Sequence, residues 1–308
     1  MTFTPSSLSS WLFLALLASA APALAEPWTG DSYNPKPDDD DIILPMPCEG
    51  SMAFRRVEIP LAGPLDDLPI TLGQDGGEWG FVEHSYPAFI AGSFSDAGKS
   101  KGRYYLMAKY ELTALQYQAL TQGTCPTPSR KLSVPETGIS WFDAVSVANK
   151  YNEWLRSNAA DKLPKEDGIA GFLRLPTEVE WEFAARGGLK VNSAEFRDVH
   201  YPMDDMKNFE WYSGAQSSNG KVQLIGRLSP NPLGLHDMLG NVSEMMFTPF
   251  YLNKLNRLHG QAGGFVVRGG NFQTSSAEIR SSARKEVNYY DSTSPATSKT
   301  TGLRLVLV

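Results

Sequence analysis

Cysteine is nearly absent. The 308 residues hold two, Cys48 and Cys125, and none follows, so no thiolate nucleophile or thiolate-held copper can arise in the longer C-terminal part. Histidine is as scarce. His84, His200, His236 and His259 stand far apart without the H-x3-H/E spacing of a metal site. Basic residues are outnumbered, 28 Lys and Arg against 34 Asp and Glu for a net charge of −6, which removes the electrostatic footprint of a nucleic-acid binder. Beyond residue 25 no apolar run approaches the ~20 residues of a membrane-spanning helix. No internal repeat or low-complexity segment interrupts the chain.

The first 25 residues stand apart. WLFLALLASAAPALA (Trp11–Ala25) is a short apolar run closing on an A-x-A site, although the preceding MTFTPSSLSS lacks Lys or Arg. This reads as a cleaved export signal over residues 1–25, with a mature chain from Glu26 in the periplasm. No cysteine follows the site, so no lipid anchor is expected there. In an oxidising compartment two cysteines usually pair, and a Cys48–Cys125 disulfide is expected, with two buried thiols as the other outcome.

Residues 26–51 carry Pro27, Pro35, Pro37, Pro45 and Pro47 and the run Asp38–Asp41. They read as an extended arm, its acids solvated or, less commonly, holding a cation. Residues 52–308 then read as one globular domain. Three capping boxes open helices, at Thr113…Gln116, Ser140…Asp143 and Thr177…Glu180. After the second, Trp141, Ala144, Val145, Ala148, Tyr151 and Leu155 form an amphipathic stripe. Past residue 190 helical periodicity ends. Strands are clear only at Gly264–Arg268 and Leu303–Val308, and the long loops between need something to fix them, a metal being one common device.

Six stretches in order, YYLMAKYELTALQYQAL, ISWFDAVSVANKYNEWL, LRLPTEVEWEFAARGG, GLHDMLGNVSEM, RGGNF and GLRLVL, resemble the motifs of the formylglycine-generating-enzyme-like, or sulfatase-modifying-factor, family. The resemblance implies an α+β, C-type-lectin-like formylglycine-generating-enzyme fold with little regular secondary structure. Oxidase members use copper and a cysteine pair just past the RGGS-like stretch. Here Thr274, Ser275 and Ser276 stand in that neighbourhood, which excludes formylglycine generation and leaves no copper site. Iron-dependent members need a histidine cluster that this chain lacks, so no iron is expected. The resemblance also implies a structural calcium ion, held by the side chains of Asp237 and Glu244 and the carbonyls of Gly240 and Val242. Hard oxygen ligands of that kind suit calcium.

Around the former catalytic groove stand Arg268, Asn271, Thr274, Arg280 and Arg284. They are candidates for binding a partner, while salt bridges are the commoner fate of each arginine. The expected function is therefore a non-catalytic periplasmic regulatory module. Its likeness is to exported members that promote type VI secretion upstream of a membrane Ser/Thr kinase. Its expected partners are that kinase's periplasmic domain or an envelope lipoprotein, with peripheral association to the outer membrane as one arrangement. The competing expectation is a periplasmic enzyme with cysteine-independent chemistry on a peptide or metabolite, drawing on Asn271, Thr274, Ser275 and Glu278. A calcium-dependent sugar binder is suggested by the topology alone, which is a poor guide to function.

Overall fold

The computed structural model describes Met1 and residues 27–75, 81–96, 102–200 and 206–308; apart from Met1, the expected export signal at residues 1–25 lies outside them. A one-turn helix α1 (Gly30–Tyr33) leads into the hairpin β1 (Ile42–Met46) and β2 (Gly50–Ile59). A second hairpin, β3 (Leu68–Leu72) and β4 (Tyr86–Ile90), precedes β5 (Phe94–Ser95) and β6 (Arg103–Ala108). Helices α2 (Ala114–Thr121) and α3 (Trp141–Asn158) follow, then β7 (Lys165–Glu166), β8 (Ile169–Ala170), β9 (Leu173–Arg174) and helix α4 (Glu178–Ala185). Among the described residues no α-helix comes later. Long loops lead to the hairpin β10 (Ser243–Asn253) and β11 (Leu258–Arg268), to β12 (Arg284–Val287), and to the short strands β13 (Tyr290–Asp291), β14 (Ser294–Pro295), β15 (Thr301–Gly302) and β16 (Val306–Leu307).

All three expected capping boxes form. In each, the N-cap hydroxyl accepts from the third helical N–H, and the side chain there accepts from the N-cap backbone. Each such cap is worth about 1 kcal/mol.

The larger sheet has the order β1-β2-β6-β16-β9, with β5 also on β6, and the smaller has the order β12-β11-β10-β15. Strands β2 and β6 are buried on both faces, so their apolar residues run nearly without alternation. On one side Phe54, Leu106 and Ala108 meet Ala144, Val147, Ala148, Tyr151 and Leu155 of α3. On the other Val57, Ile59, Tyr105 and Met107 share a core with Trp181, Phe183 and Ala184 of α4 and Met246 and Val266 of the smaller sheet. Fully burying each large apolar side chain contributes roughly 1.5–3 kcal/mol. α4 is thereby held between the sheets, with its polar edge turned to the loops after β11.

The expected arm at residues 26–51 is a correction. β1 pairs with β2 in continuous antiparallel register from Ile42↔Phe54 to Met46↔Gly50. Trp28 packs on Leu115 and Ala119 of α2. Of the acidic run Asp38, Asp39 and Asp40 stay exposed as expected, but Asp41 is drawn inside. Asp41 accepts from the wholly buried Lys109 at 2.7 Å and from Arg55 at 2.9 Å, and Asp40 also pairs with Arg55. A buried ammonium needs a fixed counter-charge, and this segment supplies it. The domain therefore begins well before Met52.

Cys48 and Cys125 form a disulfide with Cα atoms 5.3 Å apart and 77 positions apart in sequence. It ties the β1–β2 turn to the segment after α2. On a chain-entropy basis a loop of that length is restrained by about 4–5 kcal/mol.

Candidate functional site

Two loops meet beneath α4. The first follows β11 and contains Gly269 and Gly270, both at positive φ (83° and 69°). A Cβ on Gly269 would lie 2.8 Å from the Met238 carbonyl and 3.0 Å from Trp181, so only glycine fits. The chain then turns at Asn271. The Asn271 amide donates to Thr274 Oγ1 at 2.9 Å, Gln273 N donates to Asn271 Oδ1 at 3.0 Å, and Asn271 Nδ2 donates to Ser243 Oγ at 3.0 Å. Ser275 Oγ donates to Glu278 at 2.8 Å on the exposed rim. Thr274 and its neighbours thus satisfy one another as a turn. The threonine hydroxyl accepts from a backbone amide, and no histidine or lysine bonds it among the described residues. A nucleophile needs a base within hydrogen-bond reach, and this hydroxyl has none.

The three groove arginines do not line an open groove, which corrects their expected role. Arg268, Arg280 and Arg284 are buried. Arg268 sits between Glu178 and Glu182, one helical turn apart on α4, bonding Glu178 at 3.2 Å and Glu182 more closely. Arg284 grips Glu178 with two parallel bonds of 2.8 and 2.7 Å. Arg280 pairs with Glu83, donating through Nε at 2.8 Å. Arg186 donates to Glu182 at 2.6 Å. Burial works against ionisation of Glu182, yet the Arg268 and Arg186 guanidiniums hold its carboxyl below the ordinary range. These are fork-to-carboxylate pairs in a dry interior, closed to any ligand. The Glu278 carboxylate takes no part in these pairs; it is exposed and accepts from Ser275.

The second loop runs from His236 to Glu244. Asp237, Gly240 and Asn241 all adopt positive φ, at 57°, 89° and 53°. A Cβ on Gly240 would fall 1.9 Å from the Trp211 carbonyl, and its amide donates to the Gly269 carbonyl at 2.8 Å, so the two loops are stitched together. Glu111 holds the turn from below, accepting from Asn241 Nδ2 at 2.7 Å and from Val242 N at 3.1 Å. Glu244 accepts from Arg304 at 2.7 Å and from Trp181 Nε1 at 2.7 Å. Asp237 accepts from Gly226 N through Oδ2 at 2.8 Å, while its buried Oδ1 has no well-formed hydrogen bond and only the equally buried Trp211 indole N–H beside it.

Three buried carboxylates therefore share one guanidinium, that of Arg304. Burial first, with repulsion from Asp237 and Glu244, pushes Glu111 well up. Burial also pushes Asp237 up to about 6, and Glu244 adds to it. His236 is not a ligand here. Its Nδ1 bonds the Leu228 carbonyl at 2.9 Å, it stacks on Tyr110, and burial lowers it to about 4.

The Asp237 Oδ1, with only the Trp211 indole N–H beside it and negative charge around it, fits a hard cation. Among the described residues no three His, Cys, Asp or Glu side chains converge on a metal-holding geometry, so loop carbonyls such as those of Gly240 and Val242 would have to supply further oxygens. Glu244 already gives both oxygens to Arg304 and Trp181. Sequence reasoning found Asp237 and Glu244 but missed Glu111 and Arg304. The available signal was a charged residue inside each apolar run, in AKYEL and GLRLVL.

The family model for the sulfatase-modifying factor enzyme 1-like domain matches residues 92–307. The chaperone protein LppX of Paenibacillus barcinonensis is 25% identical over 183 residues, 49% of this chain and 64% of that protein. The inactive C-alpha-formylglycine-generating enzyme 2 of Bos taurus is 32% identical over 118 residues, 37% of this chain and 33% of that protein. The chain thus spans less than two thirds of the length of either relative. Among solved structures, Treponema denticola variable protein 1 superposes with a TM-score of 0.58 at 20% identity, covering 87% of this chain and 99% of that one. That likeness shows the fold.

Proposed function

Because the chain belongs to the sulfatase-modifying factor enzyme 1-like domain family but both its cysteines are tied in a disulfide away from the RGG turn, we propose that it is a non-catalytic binding and regulatory module. The observation that carries this is the state of Thr274, whose hydroxyl closes a turn on the Asn271 amide instead of facing a base. The family includes proteins described as inactive, such as the bovine relative, which supports a fold kept for recognition. On the finer level the chain resembles TagR, a periplasmic protein of a type VI secretion locus acting upstream of a membrane-bound Ser/Thr kinase. Its partner is then the periplasmic domain of such a kinase or an envelope lipoprotein. A structural calcium ion at Asp237, with Gly240 and Val242 contributing carbonyls and Glu244 sharing its carboxylate, belongs to the same proposal. Its chemistry is to neutralise buried charge, and it takes no part in a reaction.

The test replaces Asn271 and Thr274 together by alanine in the producing cell, with kinase phosphorylation and effector export as readouts. Unchanged signalling at normal protein level supports a binding module. Loss of signalling by a folded variant that still captures its partner would restore the cysteine-independent enzyme as the better reading.

A further inference from the structure

The β10–β11 hairpin differs in charge from the rest of the molecule. Between Glu244 and Glu278 the chain contains no acidic residue, although it is acidic as a whole. Glu244 itself is buried on Arg304. The tip reads Leu252-Asn253-Lys254-Leu255-Asn256-Arg257. Leu252 is 46% and Leu255 59% exposed, and Lys254, Asn256 and Arg257 are exposed with them. Among the described residues neither cation has an ion-pair partner. The hairpin is anchored where it leaves the body, since Asn253 is buried and its Nδ2 donates to the His84 carbonyl.

The turn is built against local preference. Leu255 and Asn256 both adopt positive φ, 43° and 67°, and Lys254 N donates to the Arg257 carbonyl at 2.7 Å. Asn-Gly fills such a two-residue turn without strain, whereas a leucine there costs roughly 1–2 kcal/mol. The side chain gained for that strain points at no core cluster.

We propose that this tip docks on an anionic lipid surface, the leucines entering the apolar boundary and Lys254 and Arg257 meeting headgroup phosphates. Charge complementarity selects an anionic surface. Shape selects a bilayer over an acidic protein. A four-residue convex tip cannot supply the roughly 800 Å² per partner of a stable protein interface, but a headgroup layer closes around it. The inference is independent of the signalling role.

The test is flotation of the purified mature chain, from Glu26 onward, with vesicles of phosphatidylcholine alone and of phosphatidylcholine mixed equally with phosphatidylglycerol. The chain should float with the mixed vesicles only, and less as salt rises. Replacing both cations (Lys254→Gln with Arg257→Gln) should lower partitioning about 30-fold. Leu255→Gly should lower it about tenfold while holding or raising the melting temperature, because the strain is relieved. No flotation, equal flotation with both vesicles, or indifference to these variants would overturn the proposal. So would capture by immobilised poly-glutamate without flotation, which would assign the tip to an acidic protein.

Discussion

The two loops that meet beneath α4 share a backbone seam and little else. In the loop after β11 the Asn271–Thr274 turn bonds to itself, and the arginines around it are each held by a carboxylate, Glu178, Glu182 or Glu83, although Ser281 Oγ is buried without a partner. In the loop from His236 to Glu244 an aspartate oxygen is left over, and three carboxylates share one guanidinium. The first loop has settled its electrostatics internally and can be read as framework. The second has not, and imbalance inside a protein is where an ion or a proton is to be expected.

The largest test of this contrast falls on the framework side. Arg268→Ala removes the guanidinium between Glu178 and Glu182, leaving Arg284 and Arg186 as their remaining counter-charges in a dry interior, and should destabilise by about 3–5 kcal/mol in urea titration. A loss under about 1 kcal/mol would mean that those pairs are not a framework.

The next test falls on the unbalanced loop and has a definite sign. Asp237 titrates near 3.8 when unfolded and about 6 when folded. The folded state thus binds the proton more tightly, and in metal-free protein stability should fall as pH rises from about 4 to 6, by roughly 3 kcal/mol. Glu111, also pushed up, adds in the same direction. Asp237→Asn should flatten that profile and stabilise the metal-free protein at neutral pH.

Calcium at about 100 times its dissociation constant should stabilise the wild type by about 2.7 kcal/mol, and Asp237→Asn should abolish this response. If saturating chelator leaves the melting temperature of calcium-loaded protein unchanged, the ion does not belong there. The smallest effect is expected at Thr274→Ala. It removes one acceptor from a half-buried turn, worth about 1 kcal/mol, with no change in signalling.

How much of this was legible in the sequence follows from how far apart the interacting groups lie. The capping boxes are contained within four residues, and all three helices open where those residues place them. Partners of buried charges are distant: Asp41 and Lys109 are 68 positions apart, and Arg268 and Glu178 are 90. An acidic run beside prolines therefore reads as solvated, although the structure uses it to neutralise a lysine. The strand β1 was hidden for the same reason, since Pro45 and Pro47 suggest an arm until β2 is seen beside it. Asp237 and Glu244 were found because one short motif holds both, whereas Arg304 lies 60 positions beyond Glu244.

The position of β16 governs when the molecule can form at all. It lies between β6 and β9, and the adjoining Arg304 is the guanidinium on which Glu244 rests. A nascent chain can make the β1–β2 hairpin and the three long helices early. It cannot close the larger sheet until residues 303–308 have emerged, so the domain commits to its native state only after β16 is available. Until then the sheet has a gap beside β6, and a chaperone would meet an unfinished sheet edge.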